Sequence, residues 1–168
     1  MPDGGPWIYP YVEDPHSSGI YEPDNIVLRP VLEIELLGPA ITANDNPPRV
    51  AALVDSGAER TFAAPWLARA IGADIRNAPA IRVGLGGSTR RVQFAQATLR
   101  LSSPDLATAI EWQADVGFID AWEPPWGLLL GQRGFFDQFT VTLSRYAQAF
   151  AVEATETFDD RYAQPEHP

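Results

Sequence analysis

An all-β, barrel-like fold with one or two short helices is what this sequence predicts. Three observations predict it. Short apolar runs bounded by Gly, Pro and Asn-Asp turns recur from Ile26 to Val152. Helical signals are confined to Ala64–Gly72 and Gln132–Phe139. No internal repeat or low-complexity domain interrupts this order, so strands packed around one core are the expected architecture.

Residues 1–25 hold five prolines and few regular apolar patterns, which reads as an extended leader lying over the domain or reaching toward a partner subunit. The folded domain is expected at 26–152. Val31, Ile34 and Leu36-Leu37 mark its first strand, closed by Gly38-Pro39. Asn44-Asp-Asn-Pro-Pro48 is a turn, since Asn and Asp bond their own backbone and Pro presets φ. Val50-Ala-Ala-Leu-Val54 is short and apolar, as a buried strand is, and delivers Asp55 at its end.

Pro65 suits a helix start and Gly72 a helix end, so one helix is expected between them. Ile81–Val83 and Val92–Leu101 flank Gly84-Leu-Gly-Gly-Ser88, predicting a long hairpin with a mobile tip. A strand over 110–119 follows, then a loop holding Trp122, Pro124, Pro125 and Trp126. Gly127-Leu-Leu-Leu-Gly131 reads as another buried strand, Gln132–Phe139 as a short helix, and 140–143 and 147–152 as closing strands. The acidic end, 153–168, reads as a solvated tail. Trp66 and Trp112 are expected in or just under the core, and Phe135, Phe136 and Phe139 are expected as core contacts of the short helix and the strand after it. Trp122 and Trp126 are read first as packing residues that also could border a cleft.

The 168 residues suffice for one domain with a substantial core, and 45% hydrophobic with 20% charged residues is a globular profile. Acidic residues outnumber basic ones 22 to 12, and a formal charge of −10 repels phosphate backbones and anionic lipid. Neither nucleic acid nor a membrane is therefore expected as a partner. The start of the chain lacks a basic, apolar leader and no run reaches membrane-spanning length, giving a cytoplasmic expectation. With no cysteine there is no thiol nucleophile, disulfide or thiolate metal site. His16 lies in the Pro-rich leader and His167 beside the carboxyl end, poor positions for a Ser-His-Asp triad or a zinc site. Carboxylates are left as the acid-base groups.

In Ala51-Ala-Leu-Val-Asp55-Ser56-Gly57-Ala58, an apolar strand ends in a carboxylate followed by a hydroxyl and a glycine. A lone Asp-Ser-Gly is usually a turn. Here it is followed, in order, by Thr61 and the helix, by Gly84-Leu-Gly-Gly87 with Val92-Gln-Phe94, and by Leu128-Leu-Leu-Gly131 with Gln-Arg-Gly-Phe-Phe136. Over about residues 50–145 this series resembles the retroviral-type (retropepsin-like) aspartic proteases. The resemblance implies a closed β-barrel with a flap hairpin and an active site at a homodimer interface. Asp55 would be the catalytic residue, supported by Ser56 and Gly57 in the active-site loop. Ala58, Glu59, Leu85, Gly86 and Gly87 would contact substrate.

A missing side chain at Gly57 lets the backbone turn beside the reacting carboxylate, where a bulkier residue would crowd it. Ser56 would bond across the subunit boundary, or simply cap its own turn. In such enzymes two aspartates lie too close for both to ionise, and their shared proton makes one a base toward water and the other an acid toward the carbonyl. Only one Asp-(Ser/Thr)-Gly occurs here, Asp115-Val-Gly and Asp120-Ala-Trp reading as surface or loop acids, so a twofold dimer is needed to pair Asp55 with its mate. No metal or organic cofactor is required, and activity is expected under acidic to mildly acidic conditions.

Two departures from the pattern matter. Glu59-Arg60 stands where many relatives carry aspartates, and Gln132 where many carry an arginine, so a Gln132 hydrogen bond to Glu59 is expected in place of an ion pair. The flap lacks the tyrosine of pepsin-like enzymes, and the chain is about half their length. The glycine stretch fails as a phosphate loop because no Lys-(Ser/Thr) follows it. The function expected is an aspartic endopeptidase acting on peptide or protein substrates. The alternatives are an inactive protease-like peptide-binding or dimerisation module, and an enzyme that mainly processes its own leader.

Overall fold

The computed structural model describes residues 5–14, 27–42, 44–85, 87–123 and 125–162. In chain order the elements are β1 (Trp7–Pro10), β2 (Val12–Glu13), β3 (Leu28–Arg29), β4 (Val31–Leu37), β5 (Arg49–Val54), β6 (Phe62–Ala63) and α1 (Pro65–Ile71). There follow β7 (Ala80–Leu85), β8 (Ser88–Ser102), β9 (Ala109–Ile119), β10 (Leu128–Leu130), β11 (Phe139–Ser144), β12 (Ala149–Ala154) and α2 (Thr155–Tyr162).

Strands β4, β5, β10, β6, β9 and β8 run in that order around a closed barrel, with β4 pairing β8 to complete the ring. The barrel is mixed, because β10 pairs β5 and β6 pairs β9 in parallel while the other neighbours are antiparallel. Closure leaves the ring without a free edge. Strand β7 stands outside it, paired only to the upper half of β8 as a hairpin. A second sheet, β1-β12-β11, draws Trp7–Pro10 of the Pro-rich leader onto the domain, and β2 and β3 make a two-residue ladder. Tyr9 in β1 donates its hydroxyl to the Ser102 carbonyl at 2.7 Å, and burial pushes its phenol well above the ordinary range.

Alternation sets the core. On β9, Trp112, Ala114, Val116 and Phe118 point inward, meeting Ile34 and Leu36 of β4, Leu99 and Leu101 of β8, and Leu128 and Leu130 of β10. One end is filled by aromatics: Trp112 lies edge-on to Phe139 with ring centroids 4.9 Å apart, and its indole N–H donates to the Gly134 carbonyl at 2.6 Å. Helix α1 buries Leu67, Ala68 and Ile71, starts on Pro65, and ends at Gly72 in the left-handed conformation. Trp66 falls on its outer side and is 46% exposed, contrary to the expected core position, because helical spacing turns it away from Leu67 and Ile71.

The expected helix over Gln132–Phe139 does not form. Arg133 bridges in parallel to Arg60, Gly134 takes φ 96°, and Asp137 accepts the Gly134 N–H at 3.1 Å, so the segment is a series of turns. Its Phe135 and Phe139 are buried as expected. The second helix is α2, inside the stretch expected to be a solvated tail, where it follows β12 and contacts β11 and β12. Among the described residues no helix is long and apolar enough to cross a membrane.

Candidate functional site

Strand β5 ends at Val54, and Asp55 follows it into a turn at one end of the barrel. The Asp55 carboxylate is partly exposed and accepts the Gly57 N–H on Oδ1 at 2.9 Å. A Cβ at Gly57 would come 3.2 Å from that same oxygen, so a side chain there would press on the carboxylate. Ser56, Gly57 and Glu59 are exposed and Ala58 is half-buried, leaving the loop's outer surface open.

The inner side of this loop is tied to the segment after β10. Asp55 N–H donates to the Leu130 carbonyl at 3.0 Å, Gln132 N–H to Ala58 at 2.8 Å, and Arg133 N–H to Glu59 at 3.0 Å, while Thr61 N–H returns to Arg133 at 2.9 Å. The fully buried Thr61 hydroxyl accepts the Gly131 N–H at 3.3 Å. These contacts need glycine at 131, because a Cβ there would lie 2.3 Å from the Arg60 carbonyl oxygen and 2.7 Å from that of Ala58. The Gln132 amide does not reach Glu59 as expected. Its Nε2 donates to the Ser56 carbonyl at 2.8 Å, because the two backbone bonds from Gln132 and Arg133 set the segment beside Ser56.

A second apolar cluster lies on the opposite face of the barrel strands from the core. Leu53 alternates with the inward Ala52 and Val54, Leu129 with Leu128 and Leu130, and Phe62 with Ala63. Val92 and Ile119 complete it, with Val83, Phe94 and Trp122 packed against them. Gly117 sits beneath, where a Cβ would meet Phe62, Val92 and Phe94 within 3 Å. Beside Phe94, Arg60 stacks its guanidinium 4.9 Å from the ring centroid and approaches Asp115 at 3.5 Å.

Of the residues singled out in the sequence, Asp55, Ser56, Gly57, Ala58 and Glu59 form one loop, and Gln132 joins it. Leu85 and Gly87 stand at the far end of the β7–β8 hairpin, while Gly86 lies outside the described residues, as do His16 and His167. Asp115 is an exposed strand residue paired to Arg60, and Asp120 follows β9 with Arg91 at 3.5 Å. Sequence reasoning missed the bracing role of Thr61 and the second apolar face. The latter had a signal: Val50–Val54 and Leu128–Leu130 are apolar at consecutive positions, which marks strands covered on both sides. No group of three or more His, Cys, Asp or Glu side chains able to hold a metal occurs among the described residues.

No family model matches the chain, and no curated protein matches it significantly.

Proposed function

We propose that this chain is one half of a homodimeric, retropepsin-like aspartic endopeptidase, with Asp55 and its twofold mate forming the catalytic dyad. The observation that carries the reading is the Asp55 loop itself: a partly exposed carboxylate at a barrel-strand end, on a backbone held by Leu130–Arg133. A rigidly held, accessible carboxylate is what general acid-base work on water requires.

In this reading one aspartate takes a proton from water as its oxygen attacks the peptide carbonyl carbon, and the other gives a proton to the carbonyl oxygen. The gem-diol then breaks its C–N bond: the nitrogen takes the proton that came from water, and a diol hydroxyl returns its proton to the other aspartate as the acid carbonyl forms, so the shared proton is restored. The β7–β8 hairpin acts as the flap, its backbone pairing with an extended peptide as an added strand. The partly exposed Leu53, Val83 and Phe94, backed by the buried Phe62 and Leu129, offer that peptide an apolar wall.

The test is a peptide-library digest under acidic conditions with wild type and Asp55→Asn, alongside sedimentation analysis of both. Cleavage by the wild type and none by an Asp55→Asn variant that still dimerises is the expected result. Undiminished cleavage by the variant rejects Asp55, and a wild type that cuts while strictly monomeric rejects the shared site.

A further inference from the structure

The hairpin carries three arginines whose positions differ. In the antiparallel register Ile81 faces Val92, Val83 faces Arg90 and Arg82 faces Arg91. Because side chains alternate, Val83, Arg90 and Val92 share one face and Arg82 and Arg91 the other. Val83 and Val92 belong to the second apolar cluster, so Arg90 is on the cluster side, half-buried, one position beyond Val92 on that face.

On or beside the cluster and the hairpin, Arg60 has Asp115 and Arg91 has Asp120, each at 3.5 Å, whereas Arg82, on the other face, has no ion pair among the described residues. Among the described residues no carboxylate lies within 4 Å of the Arg90 guanidinium. A half-buried guanidinium beside an apolar wall in a chain of net charge −10 is a local exception to the surface field. That field is screened over roughly 8–10 Å at physiological salt, whereas a contact ion pair acts at about 4 Å, so the local charge decides which peptide is held.

We propose that Arg90 makes this site select peptides carrying an Asp or Glu next to an apolar residue; this rests on the endopeptidase reading above. The guanidinium pairs with the substrate carboxylate while the apolar neighbour meets the partly exposed Leu53, Val83 and Phe94 of the cluster.

The experiment is a mass-spectrometric cleavage profile of a proteome-derived peptide library at about pH 6, where peptide carboxylates are ionised. Wild type, Arg90→Glu, Arg90→Gln, Arg90→Lys and Arg82→Glu are compared at low and high salt. Asp and Glu should be enriched beside the bonds cut by wild type. The enrichment should fall about fivefold in Arg90→Gln, invert toward Lys and Arg in Arg90→Glu, persist in Arg90→Lys, and weaken with salt. Arg82→Glu, on the other face, should leave the profile unchanged. An unaltered profile in an active Arg90→Gln, or an equal change in Arg82→Glu, overturns the proposal and leaves the protease reading standing. Absence of any Asp55-dependent cleavage by wild type overturns the protease reading itself, and this one with it.

Discussion

The Asp55 loop and the β7–β8 hairpin make opposite use of the same barrel. The loop is held from behind by four backbone hydrogen bonds, the Thr61 hydroxyl and the Gln132 amide, so its geometry is set by partners distant in sequence. The hairpin is anchored at its base, where Val83 and Val92 join the second cluster, but among the described residues β7 pairs only with β8, Ile81 is 45% exposed, and a Cβ at Gly84 or Gly87 would meet nothing within 4 Å. Away from both, the lower half of β8 is stitched into the barrel by Glu35, which accepts from Arg49 at 2.6 Å and from Arg100 at 3.0 Å, while Arg100 also reaches Glu111. In the proposed reading, a fixed carboxylate and a lightly anchored flap suit chemistry that must admit a chain and then hold it.

Gly131→Ala should strike the braced region hardest. No flexible side chain can yield to the new methyl group, so a loss of about 4 kcal/mol or more is expected, read by urea denaturation. A variant as stable as the parent would show that the loop is not braced at this point. Thr61→Val keeps the volume but strands the Gly131 N–H in the interior, and should cost about 1–3 kcal/mol in the same measurement.

At the seam, the Arg49 hydrogen bond, with help from Arg100, holds the Glu35 carboxyl below the usual carboxylate range against the opposing effect of burial. A depressed folded-state pKa stabilises above the unfolded pKa and loses its contribution as pH falls through the folded value. Glu35→Gln should therefore be about 1 kcal/mol less stable than wild type at neutral pH, and the gap should close on acidification. A gap independent of pH would mean that shape, and not charge, joins β4 to β8. The smallest effect belongs to the hairpin: Gly84→Ala meets open space and should change the unfolding free energy by no more than about 0.5 kcal/mol, in contrast to Gly131→Ala.

Much of this arrangement was legible where local pattern is decisive. Pro65 and Gly72 bracket α1, Asn44–Pro48 turns, and the glycines between Val83 and Val92 mark the hairpin, because each rests on the φ or hydrogen-bonding habit of a residue at its own position. Gln132–Phe139 misled because Phe135, Phe136 and Phe139 have helix-like spacing, yet the barrel end and the Arg60–Arg133 bridge draw them into turns. Helix α2 was hidden by an acidic composition that resembles a solvated tail. Among side-chain contacts, the Gln132 amide was read toward Glu59 and goes to Ser56, a difference of three residues that only the path of the backbone could settle.

By itself, then, the sequence determined that the chain is mainly β, that a carboxylate ends a buried strand, and that glycines stand where backbones turn. Tertiary structure alone decided that β5 lies parallel to β10 and β6 to β9, that Gly131 fits against Arg60 and Ala58, and that Leu53, Phe62 and Leu129 form a second apolar face. The reason is physical. Turn and strand preferences are written in neighbouring residues, whereas strand partners and register depend on which distant surfaces fit, and no local period records that.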